Sequence, residues 1–286
     1  MALAGLAAAF ALPLHRLALF ALGSDLYSYI LLIPVISLGL VLLRRQSLPG
    51  PSQPNRRLGI LLVAGGGAAV LAGSELSRRG GADGNAQDFL TLVALSFALC
   101  FAGVCCWFLG RQTIRAIAFP LAFLALIAPL PVFLAAAIET FLQHASAAAA
   151  GFFFQLSGMP VFQRNDLDFQ LPGMRIEVAR QCSGLHATLA LFITSLPAGY
   201  LGLRSPWKRA ALSLAAIPIG IVRNGFRVFV IGQLCVRVGP EMIDSYIHRT
   251  GGWIFFLLFL TPFLALLLLL ARSERSAGAT GEFLEV

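Results

Sequence analysis

Apolar residues run along this chain in long blocks, without the alternation of a half-buried sheet or the single stripe of a soluble helix. Blocks near the ~20 residues that cross a hydrocarbon layer fall at 3–22, 26–43, 58–73, 89–109, 114–135, 184–203, 210–235 and 252–271. The pattern predicts an all-α polytopic membrane protein with about eight transmembrane helices. His15 and Arg16 sit in the middle of the first block, which reads as one span or as two interfacial pieces. That block lacks a basic n-region and a small-residue cleavage site, so it reads as retained rather than as a removed signal peptide. In the third block, Gly65-Gly66-Gly67 suits close helix packing better than lipid contact.

Pro129-Leu130-Pro131 closes the fifth block. Residues 132–157 are again long enough to span, but Glu139, Gln143 and His144 suggest a polar face, and the segment is expected on or partly in the outer interface. Residues 161–180 alternate apolar and polar about Pro172-Gly173, which predicts a small β-hairpin. It leads into Gln181-Cys182-Ser183-Gly184. The expected organisation is a single integral membrane domain over 1–286. It has N-terminal helices (1–135), an extracytoplasmic interfacial helix and hairpin (136–182), site-bearing helices (183–272) and a tail (273–286).

Composition sharpens this. Of 286 residues, 58% are apolar and 12% charged, about half the charge of an ordinary soluble domain. Between 89 and 163 the formal charges are Arg111, Arg115 and Glu139 alone. A soluble enzyme, a secreted disulfide scaffold and a disordered chain are thereby excluded. The net charge of +8 reads as basic loops on one side of a bilayer, with no nucleic-acid partner. The loops 44–57, 110–115 and 204–209 and the tail hold eleven bases, against seven in the longer opposite loops. The positive-inside rule then puts both termini in the cytoplasm and 136–182 outside it. Five cysteines show no C-x-x-C pair or repeated metal spacing, so no metal or cofactor is expected. Cys100, Cys105, Cys106 and Cys235 lie in apolar runs and read as packing residues.

Three polar residues sit where a bilayer penalises them. Arg223, Asn224 and Arg227 lie inside the block 210–235, where a charge costs at least about 2.5–3.5 kcal/mol. Their spacing puts Asn224 with Arg227, and Arg223 with Arg227, on one helix face. With the orientation above, Arg227 falls in the outer half of its span, and Cys182 and His248 each precede a span that starts outside. A cysteine, an arginine and a histidine thus converge at one depth. Such a trio can do nucleophilic chemistry: a thiolate attacks, a histidine carries the proton and a guanidinium holds an oxyanion. It can equally be a structural arginine on a helix carbonyl, an interfacial histidine and an inert thiol. His186, one turn after Cys182, is a second proton carrier to weigh. A transporter would use Arg223 and Arg227 as an anion site, although the sequence shows no internal repeat. A non-catalytic membrane scaffold of an envelope polysaccharide assembly system is a third reading.

The segments Val178-Ala179-Arg180-Gln181-Cys182-Ser183-Gly184, Asn224-Gly225-Phe226-Arg227 and His248 followed by Gly251-Gly252-Trp253-Ile254-Phe255 resemble, in order and spacing, the exosortase/archaeosortase family of polytopic membrane cysteine proteases or transpeptidases. The stretch Asp25-Leu26-Tyr27-Ser28-Tyr29 is similar to the family's early Tyr-Ser-His motif, with Tyr29 where the family carries histidine. The resemblance implies Cys182 as nucleophile, Arg227 as transition-state stabiliser and His248 as general acid/base. Asn224, Ser183, Gly184, Arg223 and His186 would support them. It further implies an enzyme of the bacterial inner membrane with its site outside the cytoplasm. Its partners would be exported proteins ending in a short motif such as Pro-Glu-Pro, a transmembrane helix and a basic cluster, which it would cleave and transfer to an acceptor.

Overall fold

Prolines decide where several apolar blocks stop being helical. In the computed structural model, which describes residues 2–49, 53–79, 86–244 and 252–282, the first block divides into α1 (Ala2–Ala9) and α2 (Ala11–Leu22). Pro13 has no N–H for the carbonyl of Ala9 and its ring crowds that carbonyl, and the helix breaks at Phe10. A 3₁₀ turn at Ser28–Leu31 leads into α3 (Leu32–Leu43). The α4 helix covers Arg56–Arg79 and α5 covers Ala86–Ala116, kinked at Gly110, whose φ of 77° lies outside the right-handed helix. Pro120 meets the carbonyl of Ala116 as Pro13 meets that of Ala9, so α5 ends there and a short α6 (Ala118–Leu124) follows. The fifth block is therefore not a full span: its apolar helix runs only from Ala118 to Ile127.

Among the described residues six helices are long and apolar enough to cross a membrane, where eight spans were expected. The segments Ala11–Leu22, Ser28–Leu43 and Ala118–Ile127 are shorter apolar helices. The chain divides into two compact units, residues 1–135 and 136–286.

In the first unit α4 and α5 pack along their length through small residues. A side chain at Gly66 would fall 2.5 Å from the Cys100 sulfur, and one at Gly59 3.0 Å from the carbonyl of Gly103. Ser96 donates to the Gly66 carbonyl at 2.7 Å. This is the close backbone approach that small residues permit between membrane helices. Gly67 meets nothing within 4 Å and Gly65 only Leu99 at 3.9 Å, so the close approach is made at the middle of the three glycines.

The second unit contains most of α7 (Val132–Leu156), then a three-stranded antiparallel sheet. Its strands are β1 (Phe162–Asn165), β2 (Asp168–Leu171) and β3 (Met174–Glu177). The expected hairpin about Pro172-Gly173 is the β2–β3 pair. The extra strand comes from a second turn, Asn165–Asp168, of the Asn/Asp composition that favours tight reversals. Phe169, Leu171, Ile176 and Val178 bury one face of the sheet against Ala147, Ala150 and Phe154 of α7.

Three helices follow: α8 (Leu185–Gly202), α9 (Pro206–Arg237) and α10 (Gly252–Glu282). The α8 and α9 helices are antiparallel, with Gly199 beside Arg209 and Gly184 beside Asn224. One end is clasped by Glu274, which accepts the backbone N–H groups of Arg204 and Ser205, each at 2.8 Å. Lys208 donates to the hydroxyl of Ser273 at 2.8 Å beside it. At 1.5 Å per residue, the 32 residues of α9 reach about 48 Å, well beyond a ~30 Å hydrocarbon layer. Its far end, from Gly225 to Gly232, packs in parallel along α7 from Ser146 to Phe154.

That pairing changes the reading of one residue in 132–157, Gln143. The segment is one continuous helix running alongside α9, and Gln143 faces inward at 5% exposure instead of joining a water-facing stripe. A buried carbonyl that needs a donor turns it in, as described next.

Candidate functional site

Strand β3 ends at Glu177, and Val178 and Ala179 carry the chain extended into a single 3₁₀ turn, Arg180–Cys182. The Cys182 N–H donates to the Ala179 carbonyl at 2.8 Å, and the Ser183 N–H to that of Arg180 at 2.9 Å. Gly184 then caps α8 in the left-handed region, at φ 78°. A Cβ there would lie 2.7 Å from Asn224 Cγ and 2.9 Å from Asn224 Cβ, so both the backbone conformation and the space call for glycine. Buried Ser183 points its Oγ at the N–H of Leu185, 3.4 Å away.

Asn224 is 1% exposed and donates its side-chain amide to the Cys182 carbonyl at 2.6 Å. Since α9 presents Asn224 and Arg227 on one face, the helix that holds the nucleophile candidate's carbonyl also carries the guanidinium. The turn borders a cavity of about 220 Å³. Its lining combines Cys182, Asn224 and Arg227 with Glu177, Gln181 and the apolar Val178, Val228 and Ile231. Cys182 and Arg227 are both partly exposed there. A larger cavity of about 630 Å³ lies in the first unit, walled almost wholly by aliphatic and aromatic side chains. It lacks any cationic or acidic wall residue, so volume alone is a poor guide to chemistry here.

Arg223 goes elsewhere. It is buried and donates from Nη2 to the carbonyl of Gly252, at the start of α10, across 2.9 Å. It does not line the 220 Å³ cavity, so that cavity does not combine the two arginines into one anion site. His186 is exposed and is not part of the cavity wall. His248 lies outside the described residues. Cys100, Cys105, Cys106 and Cys235 are buried free thiols. No cluster that could hold a metal ion is found among the described residues.

Three residues near the turn escaped the sequence reading. Gln181 lines the cavity. Gln143 donates to the Val178 carbonyl at 2.6 Å, and Ser146 to that of Ser183 at 3.4 Å. Their spacing of three, on a helix otherwise rich in alanine and phenylalanine, was the available signal. Gln143 was instead read with Glu139 and His144 as a polar face, and Ser146 was not singled out, because nothing local says which buried carbonyls await a donor.

The family model for transmembrane exosortases matches this chain over residues 17–265. No curated protein and no solved structure matches it.

Proposed function

The chain belongs to the transmembrane exosortases, and from that membership and the cavity at Cys182 we propose a membrane cysteine transpeptidase or endopeptidase acting on the C-terminal sorting signals of exported proteins. The observation that carries the reading is the cavity itself. It joins Cys182, at the start of α8, to Arg227, well along α9, while Asn224 fixes the carbonyl of the same cysteine.

The Cys182 thiolate adds to the scissile carbonyl carbon, and the carbonyl oxygen takes up the negative charge. The Arg227 guanidinium, a planar group with several donors, stabilises that oxyanion. As the C–N bond breaks, the leaving amine takes a proton, which His248 supplies in the family's pattern, and a thioester to Cys182 remains. Water or an acceptor nucleophile gives its proton to the same histidine and attacks the thioester, and the Cys182 thiolate leaves, ready for the next cycle. Hydrolysis and transfer differ only in which nucleophile enters.

Helix length supports one placement in the bilayer. If the clasp at Glu274 lies near one face, the ~30 Å hydrocarbon layer is used up after about 20 residues of α9. Asn224 and Arg227 then sit at the opposite rim, with β1–β3 and the ends of α7 and α9 beyond it. With the loop charges placing the clasp in the cytoplasm, the cavity opens outward, toward clients already exported across the bacterial inner membrane.

The test is client processing in cells. Cys182→Ser and Cys182→Ala should both leave a client carrying a sorting signal at its unprocessed size while the variant still accumulates in the membrane. Serine keeps the size of the side chain but is a far weaker acid and forms little of the attacking anion. Normal maturation with the alanine variant would remove Cys182 from the mechanism.

A further inference from the structure

The segment that presents Cys182 is held by carbonyls. Those of Val178, Cys182 and Ser183 accept from Gln143, Asn224 and Ser146, at 2.6, 2.6 and 3.4 Å. Two donors come from α7 and one from α9, so the turn hangs between two helices that share no local sequence with it. Asn224 fixes the carbonyl of the cysteine itself. Gln143 fixes the last carbonyl before the chain bends from β3 toward the 3₁₀ turn.

The Val178 N–H is also held, by the Leu167 carbonyl at 2.9 Å, so what Gln143 adds is the orientation of the peptide that leaves Val178 for the 3₁₀ turn. With Gln143 and Asn224 both bonded, the Val178 and Cys182 carbonyls are turned toward α7 and α9, and Cys182 lines the same cavity as Arg227. Gln143 is buried to 5% exposure, so its amide reaches the Val178 carbonyl without competition from water. An amide in an apolar helix is costly unless bonded, which argues for a specific use of the donor.

We propose that Gln143 is a positioning residue for the Cys182 chemistry: by holding the Val178 carbonyl it sets the thiol against Arg227. This rests on the cysteine reading above. It assigns to α7, which carries none of Cys182, Arg227 and His248, a part in aligning the reacting groups. Displacements on the order of 1 Å at a reacting group cost up to ~10²-fold in rate, so losing this anchor should act on turnover more than on substrate binding.

The experiment uses the full-length protein in detergent or liposomes and a client bearing a C-terminal sorting signal, with kcat and KM measured for Gln143→Leu and Gln143→Asn. Leucine cannot donate. Asparagine keeps the amide but is one methylene too short to reach. Folding is checked by size-exclusion elution and by protection of buried Cys235 from iodoacetamide. Both variants should lose about 10- to 100-fold in kcat with KM within about twofold, and Cys235 should stay protected. If leucine disrupts the fold, the asparagine variant carries the test. Unchanged kcat in a folded variant overturns the proposal, because a merely structural Gln143 would lower yield and leave turnover intact. Cys182→Ala is run beside them: if it cleaves the client, the cysteine reading has failed. If it is dead while Gln143→Leu turns over normally, only the positioning role is lost.

Discussion

Asn224 reaches across from the middle of α9 to the carbonyl of Cys182, 2.6 Å away, and so ties the turn at the head of α8 to the helix that carries Arg227. Asn224→Asp tests that tie. The change keeps the shape but sets a carboxylate oxygen against a carbonyl oxygen, and puts an acid where 1% of the side chain is exposed. Client cleavage should fall at least about tenfold, since one buried hydrogen bond is lost and its acceptor left unsatisfied. Rates are to be measured per folded protein, and cleavage equal to the unsubstituted enzyme would show that the tie is dispensable.

Gly184 and Gly173 share a backbone conformation, at φ 78° and 80°, but not their surroundings. A Cβ at Gly173 meets nothing within 4 Å, whereas one at Gly184 strikes the Asn224 side chain. Gly173→Ala should therefore cost only left-handed strain, about 1–2 kcal/mol, and leave cleavage intact. Gly184→Ala should lower the melting temperature further and push Asn224 off the Cys182 carbonyl, with loss of cleavage. Thermal unfolding of the purified variants beside client assays separates the two.

Arg227 and Arg223 lie one turn apart and do different things: one lines the cavity with Cys182, the other donates to the Gly252 carbonyl. Arg227→Lys should be nearly as damaging as Arg227→Ala, on the order of 10²–10³ in rate, because an ammonium does not reproduce a planar guanidinium. Arg223→Lys keeps a donor for a single carbonyl and should lose little. Client cleavage normalised to membrane level decides it, and the reverse ranking would mean that the other arginine serves the chemistry.

The helices α8, α9 and α10 were legible because their apolar blocks are long enough to outweigh a single internal proline or a few polar residues. The fifth block was misread because its apolarity runs on past Pro120, and hydropathy does not register that proline unseats the helix behind it. Gln143 was misread for the opposite reason. A glutamine beside Glu139 and His144 looks wet along the sequence, and only the arrival of Val178 from 35 residues away makes it a buried donor. Asn224 and Arg227 stood out because an amide and a guanidinium are conspicuous in an apolar helix, and Cys182 because, unlike the other four thiols, it lies outside the apolar runs. Gln181, in a polar stretch, carried no such contrast.

Sidedness is an expectation open to direct measurement. Reporter fusions after residues 207 and 243 should report opposite faces of the membrane, and one at residue 170, in the sheet, should report the extracytoplasmic face. An impermeant maleimide added to intact cells should label Cys182 and spare Cys235, which is 2% exposed. A cytoplasmic signal at 170 would invert the placement of the cavity.

The most direct measurement is to trap the covalent intermediate. Purified enzyme is mixed with a client bearing a sorting signal, quenched in acid, and digested for mass spectrometry of the Cys182 peptide. The account predicts the client's N-terminal fragment joined to Cys182 as a thioester that hydroxylamine releases, with no adduct in Cys182→Ala. Client cleaved at the normal rate by Cys182→Ala, with no adduct on any thiol of the native enzyme, would contradict it.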